Sequence, residues 1–194
     1  DGIEVLKGRS TYIFQGNWKI QAENGVDGYH VSTVHANYMG VVMKRMKMME
    51  DDQVKSIARG DITQMPSGTY DLGNGHTLLW GEVPGAEDRP LAERRDELTE
   101  RLDELTADWM IKHARNLGMF PNVLLMDQTS TQIRVIRPIS VDKTEITIYG
   151  LAPKGESQGA RNRRIRQYED FFNATGMATP DDLAEFAACQ VGNY

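Results

Sequence analysis

The chain has 194 residues, of which 40% are hydrophobic and 26% are charged, with a formal net charge of −6. This length and composition predict one globular domain with its own hydrophobic core. The acidic balance and the lack of a basic stripe argue against a nucleic-acid partner, and no apolar run approaches the roughly 18 residues of a membrane-spanning helix.

The cysteine content excludes some kinds of disulfide and metal site. Cys189 is the only cysteine, so an internal disulfide cannot form, which favours a reducing, cytoplasmic location. A single cysteine also excludes an iron–sulfur cluster held entirely within this chain. The sequence opens at Asp1 without an initiator methionine, and we therefore expect further sequence upstream.

The first third of the chain predicts a strand followed by a helix. Residues 11–15 have the alternation of apolar and polar residues that is typical of a strand. A turn at Gly16 and Asn17 interrupts this alternation, and it resumes at residues 18–20. From about residue 21 to 35 the pattern is helical. Residues 37–65 give no clear pattern, but they contain methionines that either fill gaps in a core or line an apolar ligand site: Met39, Met43, Met46, Met48 and Met49.

The remaining two thirds predict a hairpin, a long helix, three strands and two helices. Asn74 and Gly75 indicate a hairpin turn between residues 69–72 and 77–80. A long helix is predicted from about Pro90 to Gly118, with an apolar stripe formed by Leu91, Leu98, Leu102, Leu105 and Trp109. Short joins predict an antiparallel arrangement for the strands at 122–126, 132–137 and 145–150, before helices at 157–174 and from 179. This order is not an alternating βαβ series, so it indicates an α+β fold with helices on one face of an antiparallel sheet.

Two histidines stand close together in the sequence. On a regular helix, residues five apart lie about 140° apart, so His30 and His35 cannot bind one ion from an undistorted helix. Irregular backbone between residues 28 and 36 is therefore predicted if they share a metal. Asp27, three residues before His30, can lie on the same face. His76 and His113 are interpreted as surface or hydrogen-bonded histidines.

Spacing alone leaves two alternatives open for this pair. The histidines either bind a metal, for which imidazole is a common ligand, or are two polar side chains satisfied by hydrogen bonds at a helix end. A carboxylate that could complete a metal site is equally undecided. Asp181 and Asp182 are adjacent, and either could instead cap the helix that starts near Thr179.

Longer motifs carry a resemblance to a known family. The chain contains Gly16-Asn17-Trp18-Lys19, Glu23-Asn24 and Asp27-x-x-His30-x-x-x-x-His35. These motifs resemble a signature of Rieske non-haem iron ring-hydroxylating oxygenases, found in the catalytic part of their large (alpha) subunit. Their C-terminal iron-ligand segment resembles Thr179-Pro180-Asp181-Asp182-Leu183-x-Glu185-Phe186-x-x-Cys189-Gln190. Residues 5–12 and 164–173 are most similar to the benzoate, toluate and anthranilate branch.

The resemblance implies a role for each site residue. His30, His35 and Asp182 would hold a mononuclear Fe(II), as two imidazoles and one carboxylate that leave positions open for oxygen and substrate. Asp27 would be the electron-transfer bridge towards the Rieske cluster of a neighbouring subunit. Asn24 would lie near the iron without being a clear ligand.

It also implies a fold and an activity. The fold would be a helix-grip (START-like) α+β domain, a curved antiparallel sheet packed against long helices, with residues 1–194 forming the mononuclear iron catalytic domain. The activity would be a dioxygenase of aromatic catabolism that adds both atoms of O₂ to a benzoate-like carboxylate, giving a cis-dihydrodiol. The alternative within the family is the deaminating and decarboxylating reaction of anthranilate 1,2-dioxygenase.

The implied partners lie outside this chain. They are an N-terminal Rieske [2Fe–2S] domain, a reductase that supplies electrons from NADH, and a beta subunit in an α3β3 assembly. We expect the chain to be inactive without its electron supply.

Two rival functions and one open residue assignment remain. The rivals are a metal-free helix-grip module that binds an apolar ligand and a zinc hydrolase that uses the same three ligands. A substrate carboxylate would need a cationic anchor, for which Arg134, Arg137 and Lys44 are candidates by residue type alone. Arg134 alternates with Ile133 and Val135, which predicts a solvent-facing position, so no anchor is assigned.

Overall fold

A computed structural model of the chain describes residues 2–48 and 65–194, with the backbone alone at 45–47. Within these residues the strands form one antiparallel sheet in the order β1-β8-β7-β6-β5-β4-β3, and β2 also pairs with β8. The strands are β1 (Ile3–Val5), β2 (Ser10–Gln15), β3 (Ser67–Gly73), β4 (His76–Glu82), β5 (His113–Met119), β6 (Val123–Asp127), β7 (Thr131–Ser140) and β8 (Lys143–Pro153).

The helices include two that carry candidate site residues. They are α1 (Trp18–Asn24), α2 (Ala36–Met48), α3 (Arg95–Arg101), α4 (Glu104–Lys112), α5 (Gln158–Gln167) and α6 (Thr179–Gly192). Short 3₁₀ segments occur at Tyr29–Ser32, Ala86–Asp88 and Pro90–Arg94, and a π-helical turn at Tyr168–Phe172 continues α5. Over the described ranges, every helix is too short or too polar to cross a membrane.

One face of the sheet carries the core. Along β7 the buried residues alternate with half-buried ones, as the two-residue period of a strand requires when one face is covered. The core cluster combines that face with the helices packed on it and consists of Phe14, Leu124, Met126, Ile136, Ile146, Ile148, Phe172 and Phe186. This arrangement confirms the predicted α+β helix-grip fold.

The segment around α1 differs from the sequence prediction, which had a strand at residues 18–20 and a helix from about residue 21 to 35. Residues 18–20 are helical because the Asn17 side chain accepts a hydrogen bond from Lys19 N at 3.1 Å and caps the helix. The helix then stops at Asn24 rather than continuing to residue 35. The predicted irregular backbone at 28–36 is confirmed, since His30 lies in a 3₁₀ turn and α2 starts directly after His35.

The predicted long helix from Pro90 to Gly118 is wrong. Asp103 accepts a hydrogen bond from Thr106 N and caps a new helix, so the pattern splits into α3 and α4. Its expected apolar stripe is partly solvent-facing, with Leu105 80% exposed. Residues 113–119 form β5, which pairs with β4 on one side and β6 on the other, and this sheet pairing overrides local helical preference.

The other predicted elements are confirmed. The hairpin joins β3 and β4, the three predicted strands form β6, β7 and β8, and both C-terminal helices are present. Of the methionine group, Met39 and Met43 are half-buried and Met48 is exposed. The side chain of Met46 and the whole of Met49 lie outside the described residues, so the choice between core filling and ligand lining is untested.

Two glycines make a matched test of this packing. A Cβ at Gly25 would lie 2.4 Å from Leu124 Cδ1, and Leu124 is buried in the core, so Gly25→Ala should cost about 1–3 kcal/mol of unfolding free energy. A Cβ at Gly40 in α2 meets no atom of the described residues within 4 Å, so Gly40→Ala should add about 0.5–1 kcal/mol to the unfolding free energy. Urea unfolding measures both, and equal stability of the two variants would contradict the packing described.

Candidate metal centre

Three side chains from separate elements converge near the start of α6. His30 comes from the 3₁₀ turn, His35 from the residue before α2, and Asp182 from the first turn of α6. One ligand atom from each lies within 4.8 Å of the others. Asp182 Oδ1 lies 3.3 Å from His35 Nε2 and 3.8 Å from His30 Nε2. It is the one such three-residue cluster of histidine, cysteine or acidic side chains within residues 2–48 and 65–194.

Asp27 orients His30. Its Oδ2 lies 3.0 Å from His30 Nδ1, and its carboxylate also accepts from the backbone N–H groups of Tyr29 and His30. Because a carboxylate only accepts, Nδ1 carries the proton and the Nε2 lone pair is left facing Asp182. Slight burial opposes ionisation of Asp27, but these hydrogen bonds outweigh it and hold its pKa below the ordinary value.

Asp181 and Asp182 have different positions relative to His35. Asp182 faces Nε2 of both imidazoles, whereas Asp181 Oδ2 lies 3.8 Å from His35 Nδ1, on the other edge of that ring. These two atoms, Asp181 Oδ2 and His35 Nδ1, are buried and have no hydrogen-bond partner among the described residues. Burial lowers the pKa of His35, but the hydrogen bond and charge of Asp182, with Asp181 adding to them, raise it above its ordinary value. The geometry therefore favours Asp182 as the carboxylate metal ligand that faces both imidazoles, and Asp181 as the carboxylate next to the other ring nitrogen of His35.

Asn24 lies where the donor atoms converge. Its Nδ2 donates to Asp182 Oδ1 at 3.2 Å and lies 3.3 Å from His30 Nε2. An amide nitrogen is a donor only, so it cannot itself bind a cation. Gln21 Nε2 donates to Asn24 Oδ1, and the Tyr12 hydroxyl donates to Gln21 Oε1, both at 3.4 Å. A metal ion would compete with the Asn24 amide for the same lone pairs.

This donor set fits a divalent metal ion. Two imidazoles and one carboxylate are the ligands of the facial triad that leaves open positions on Fe(II). The side-chain carboxylate brings one negative charge into a largely buried site, which a cation would compensate. The family resemblance implied that these three residues would share a metal. The structure brings them together, and their role as iron ligands stays a prediction.

Sequence reasoning missed the aromatic wall of the site. The Phe171 ring lies 5.5 Å from the His35 ring and 4.8 Å from the Tyr38 ring, and the Phe172 ring lies 4.6 Å from Phe171. Both phenylalanines fall in the helix predicted at residues 157–174. Only the tertiary fold shows that Phe171 packs on a candidate ligand.

The predicted solvent-facing position of Arg134 is wrong. Its side chain is buried on the core face of β7, opposite Leu124 of β6 and Ile148 of β8. Ile133 and Val135 occupy the other, half-exposed face. Both faces of this strand contain apolar residues, so the two-residue alternation could not identify the buried face.

The other polar candidates lie at the surface or are satisfied. Arg137 is 61% exposed and pairs with Glu145, and Lys44 is exposed. His76 Nδ1 accepts from Phe120 N, and His113 Nδ1 lies 2.8 Å from the Trp109 carbonyl oxygen. As interpreted from the sequence, both histidines are hydrogen-bonded, and they lie outside the cluster of His30, His35 and Asp182.

The fold and the site together define a helix-grip domain with a two-histidine, one-carboxylate cluster under its sheet. Residues 5–192 match the family described as "Ring hydroxylating alpha subunit (catalytic domain)". The chain belongs to this family of oxygenase catalytic domains.

Relatives and solved structures agree with that assignment. The chain is 53% identical to the 2-halobenzoate 1,2-dioxygenase large subunit of Burkholderia cepacia, over 98% of this chain and 41% of the relative. It is 42% identical to the anthranilate 1,2-dioxygenase large subunit of Acinetobacter baylyi, over 98% of this chain and 42% of the relative. It thus spans less than half the length of these curated relatives.

The fold has a counterpart among known structures. Naphthalene 1,2-dioxygenase from Rhodococcus sp., bound to indole, superposes with a TM-score of 0.75 at 20% identity, covering 98% of this chain and 44% of that chain. At this identity the likeness shows the fold alone.

Proposed function

We propose that His30, His35 and Asp182 bind one Fe(II) and that residues 1–194 are the mononuclear iron catalytic domain of a dioxygenase alpha subunit. The observation that carries the proposal is the convergence of their ligand atoms to within 4.8 Å in a member of this family. Iron bound there would supply activation of O₂ next to the substrate. The chain's own residues would orient that iron and the aromatic ring.

The proposed reaction of the whole protein is the addition of both atoms of O₂ to a benzoate-like aromatic carboxylate, giving a cis-dihydrodiol. The name of the halobenzoate relative supports this substrate class. The anthranilate reaction is a weaker alternative, because the anthranilate relative is less identical to this chain.

The electron supply is proposed to come from outside the chain. With Cys189 as the only cysteine, a Rieske [2Fe–2S] cluster would have to be held by another part of the protein. We propose that a Rieske domain of the same subunit holds it and that a reductase delivers electrons from NADH. A beta subunit, an α3β3 assembly and a cytoplasmic location complete the proposal.

Asp27 suits the role of electron-transfer bridge between the Rieske cluster of a neighbouring subunit and the iron site. One side of its carboxylate holds the His30 ring, yet its side chain is 41% exposed. It can therefore contact a neighbouring subunit while remaining hydrogen-bonded to a candidate iron ligand. The same hydrogen bond argues against a zinc hydrolase, because that mechanism needs a free general base and Asp27 is already committed to His30.

Isotope incorporation tests the reaction. Full-length protein with its reductase, supplied with benzoate and ¹⁸O₂, should give a cis-diol in which both new oxygens carry the label. A hydrolase would incorporate oxygen from water only, and a metal-free binding module would give no product. Either of these results with fully loaded protein would contradict the proposal, while catechol formed from anthranilate but no diol from benzoate would favour the alternative.

Replacing Asp27 should separate electron transfer from metal binding. Asp27→Asn keeps the size of the side chain but removes its charge, so we expect bound iron to stay near the parent level and turnover to fall about 10–100-fold. The rate of cluster reoxidation in a single turnover and the iron content measure the two effects. Glu104→Gln, an exposed acid on α4, is the control. Unchanged turnover in Asp27→Asn would refute the bridging role.

A further inference from the structure

Arg134 is a buried cation without a counter-ion among the residues that the structure describes. Its side chain is 3% exposed, its Nε donates to Gln132 Oε1 at 3.2 Å, and its guanidinium lies 5.1 Å from the centroid of the Phe172 ring. Nη2 is buried without a hydrogen-bond partner. Nη1 makes no hydrogen bond to any residue in the described ranges, and the guanidinium forms no ion pair there.

The other buried arginines differ from it. Arg164 pairs with the Glu156 carboxylate at 3.0 Å. Arg89 donates to main-chain carbonyl oxygens and lies 3.7 Å from Asp127. A buried charge without such partners is strongly unfavourable. Arg134 therefore presents a guanidinium fork whose anionic partner is not among the residues described.

Aromatic rings connect Arg134 to the metal cluster. Phe172, which lies under the guanidinium, packs on Phe171 at 4.6 Å between ring centroids. Phe171 in turn packs on His35 at 5.5 Å. Arg134 and the cluster are thus linked through one pair of phenylalanine rings on the helix-covered face of the sheet.

Tyr12 gives a second, independent connection. Its hydroxyl reaches Asp182 through the hydrogen-bonded side chains of Gln21 and Asn24. Burial raises the pKa of Tyr12, the positive charge of Arg134 opposes that effect, and the negative charge of Asp182 adds to it. The Tyr12 hydroxyl therefore lies within electrostatic range of both groups.

We infer that Arg134 binds the carboxylate of the aromatic substrate and so selects aryl carboxylates over neutral arenes. This inference rests on the proposed function and assigns the anchor that the site otherwise lacks. A planar guanidinium whose two terminal nitrogens have no hydrogen-bond partner among the described residues matches the two oxygens of a carboxylate. Phe171 and Phe172 would border the aromatic ring of the same molecule.

Paired ligands test the inference on full-length, iron-loaded protein. Benzoate and benzamide have nearly the same shape but differ in charge, and their dissociation constants are measured by calorimetry. The parent should bind benzoate at least about 10-fold more tightly than benzamide, as a charge-assisted hydrogen bond predicts. Arg134→Met should weaken benzoate binding about 10–100-fold and leave benzamide binding and iron content nearly unchanged.

Two further variants complete the design. Arg137→Met removes an exposed arginine from the same strand and should change neither dissociation constant. Arg134→Lys keeps the charge but loses the fork, so benzoate binding should weaken several-fold with benzamide unaffected. This variant decides the question if Arg134→Met does not fold.

The outcomes separate the inference from the proposed function. Unchanged benzoate binding in the Arg134 variants, or a parent without preference for benzoate, would overturn the anchor even if iron binding and dioxygenation of neutral arenes persist. Conversely, a parent that prefers benzoate through Arg134 but binds no iron would refute the proposed function and leave the anchor standing.

Discussion

Asp182→Ala is expected to reduce iron affinity by more than about 100-fold, because it removes the only carboxylate in the described part of the chain that faces both imidazole Nε2 atoms. Two neutral imidazoles would then hold a divalent cation without an anionic ligand. Anaerobic titration with Fe(II) and measurement of bound metal give the affinity of parent and variant.

Asp181→Ala is the matched control for that change. Asp181 is adjacent in sequence but faces the other ring nitrogen of His35, and a residue that orients a ligand contributes about 10–100-fold to affinity. The two variants should therefore differ clearly, with Asp181→Ala retaining measurable iron. Loss of iron in Asp181→Ala together with retention in Asp182→Ala would reverse the ligand assignment.

Arg89→Met is expected to lower the free energy of unfolding by about 3–5 kcal/mol, as for other disrupted buried charge networks. Arg89 is 2% exposed. Its terminal nitrogens donate to carbonyl oxygens at the end of α4, the start of β5 and the end of β6, namely those of Met110, Ile111, His113, Asp127 and Gln128. The substitution leaves several of these carbonyl oxygens without a donor.

Urea unfolding measures this effect against a surface control. Arg101→Met removes an arginine that is 65% exposed and pairs with Glu97 within α3, so it should change stability by less than about 1 kcal/mol. The dependence of unfolding free energy on urea should keep its slope in both variants. Equal midpoints for the two variants would contradict the structural role given to Arg89.

Local signals in the sequence predicted much of the fold. Asn74 and Gly75 both have positive φ in the hairpin turn, which is the backbone that an Asn-Gly pair favours. The strands from residue 123 onwards and the final helix were also predicted, because their local sequence patterns agree with the structure that they adopt in the fold. The region from Pro90 to Gly118 was misjudged because pairing of β5 with two neighbours outweighed local helical preference.

The candidate site was predictable only in part. The five-residue spacing of His30 and His35 required a break in the helix, and that break is present. The choice between Asp181 and Asp182 could not follow from spacing, since it depends on which ring edge each carboxylate meets. The burial of Arg134 could not be predicted either, because its strand has apolar residues on both faces.

Metal content of the purified chain tests the central claim most directly. The protein would be prepared anaerobically, supplied with Fe(II), freed of unbound metal and analysed beside His35→Ala, which removes the most buried imidazole of the cluster. We expect about one iron per parent chain and little in the variant, as for a single facial triad. Iron that persists undiminished in His35→Ala, or a parent that binds none, would contradict the claim.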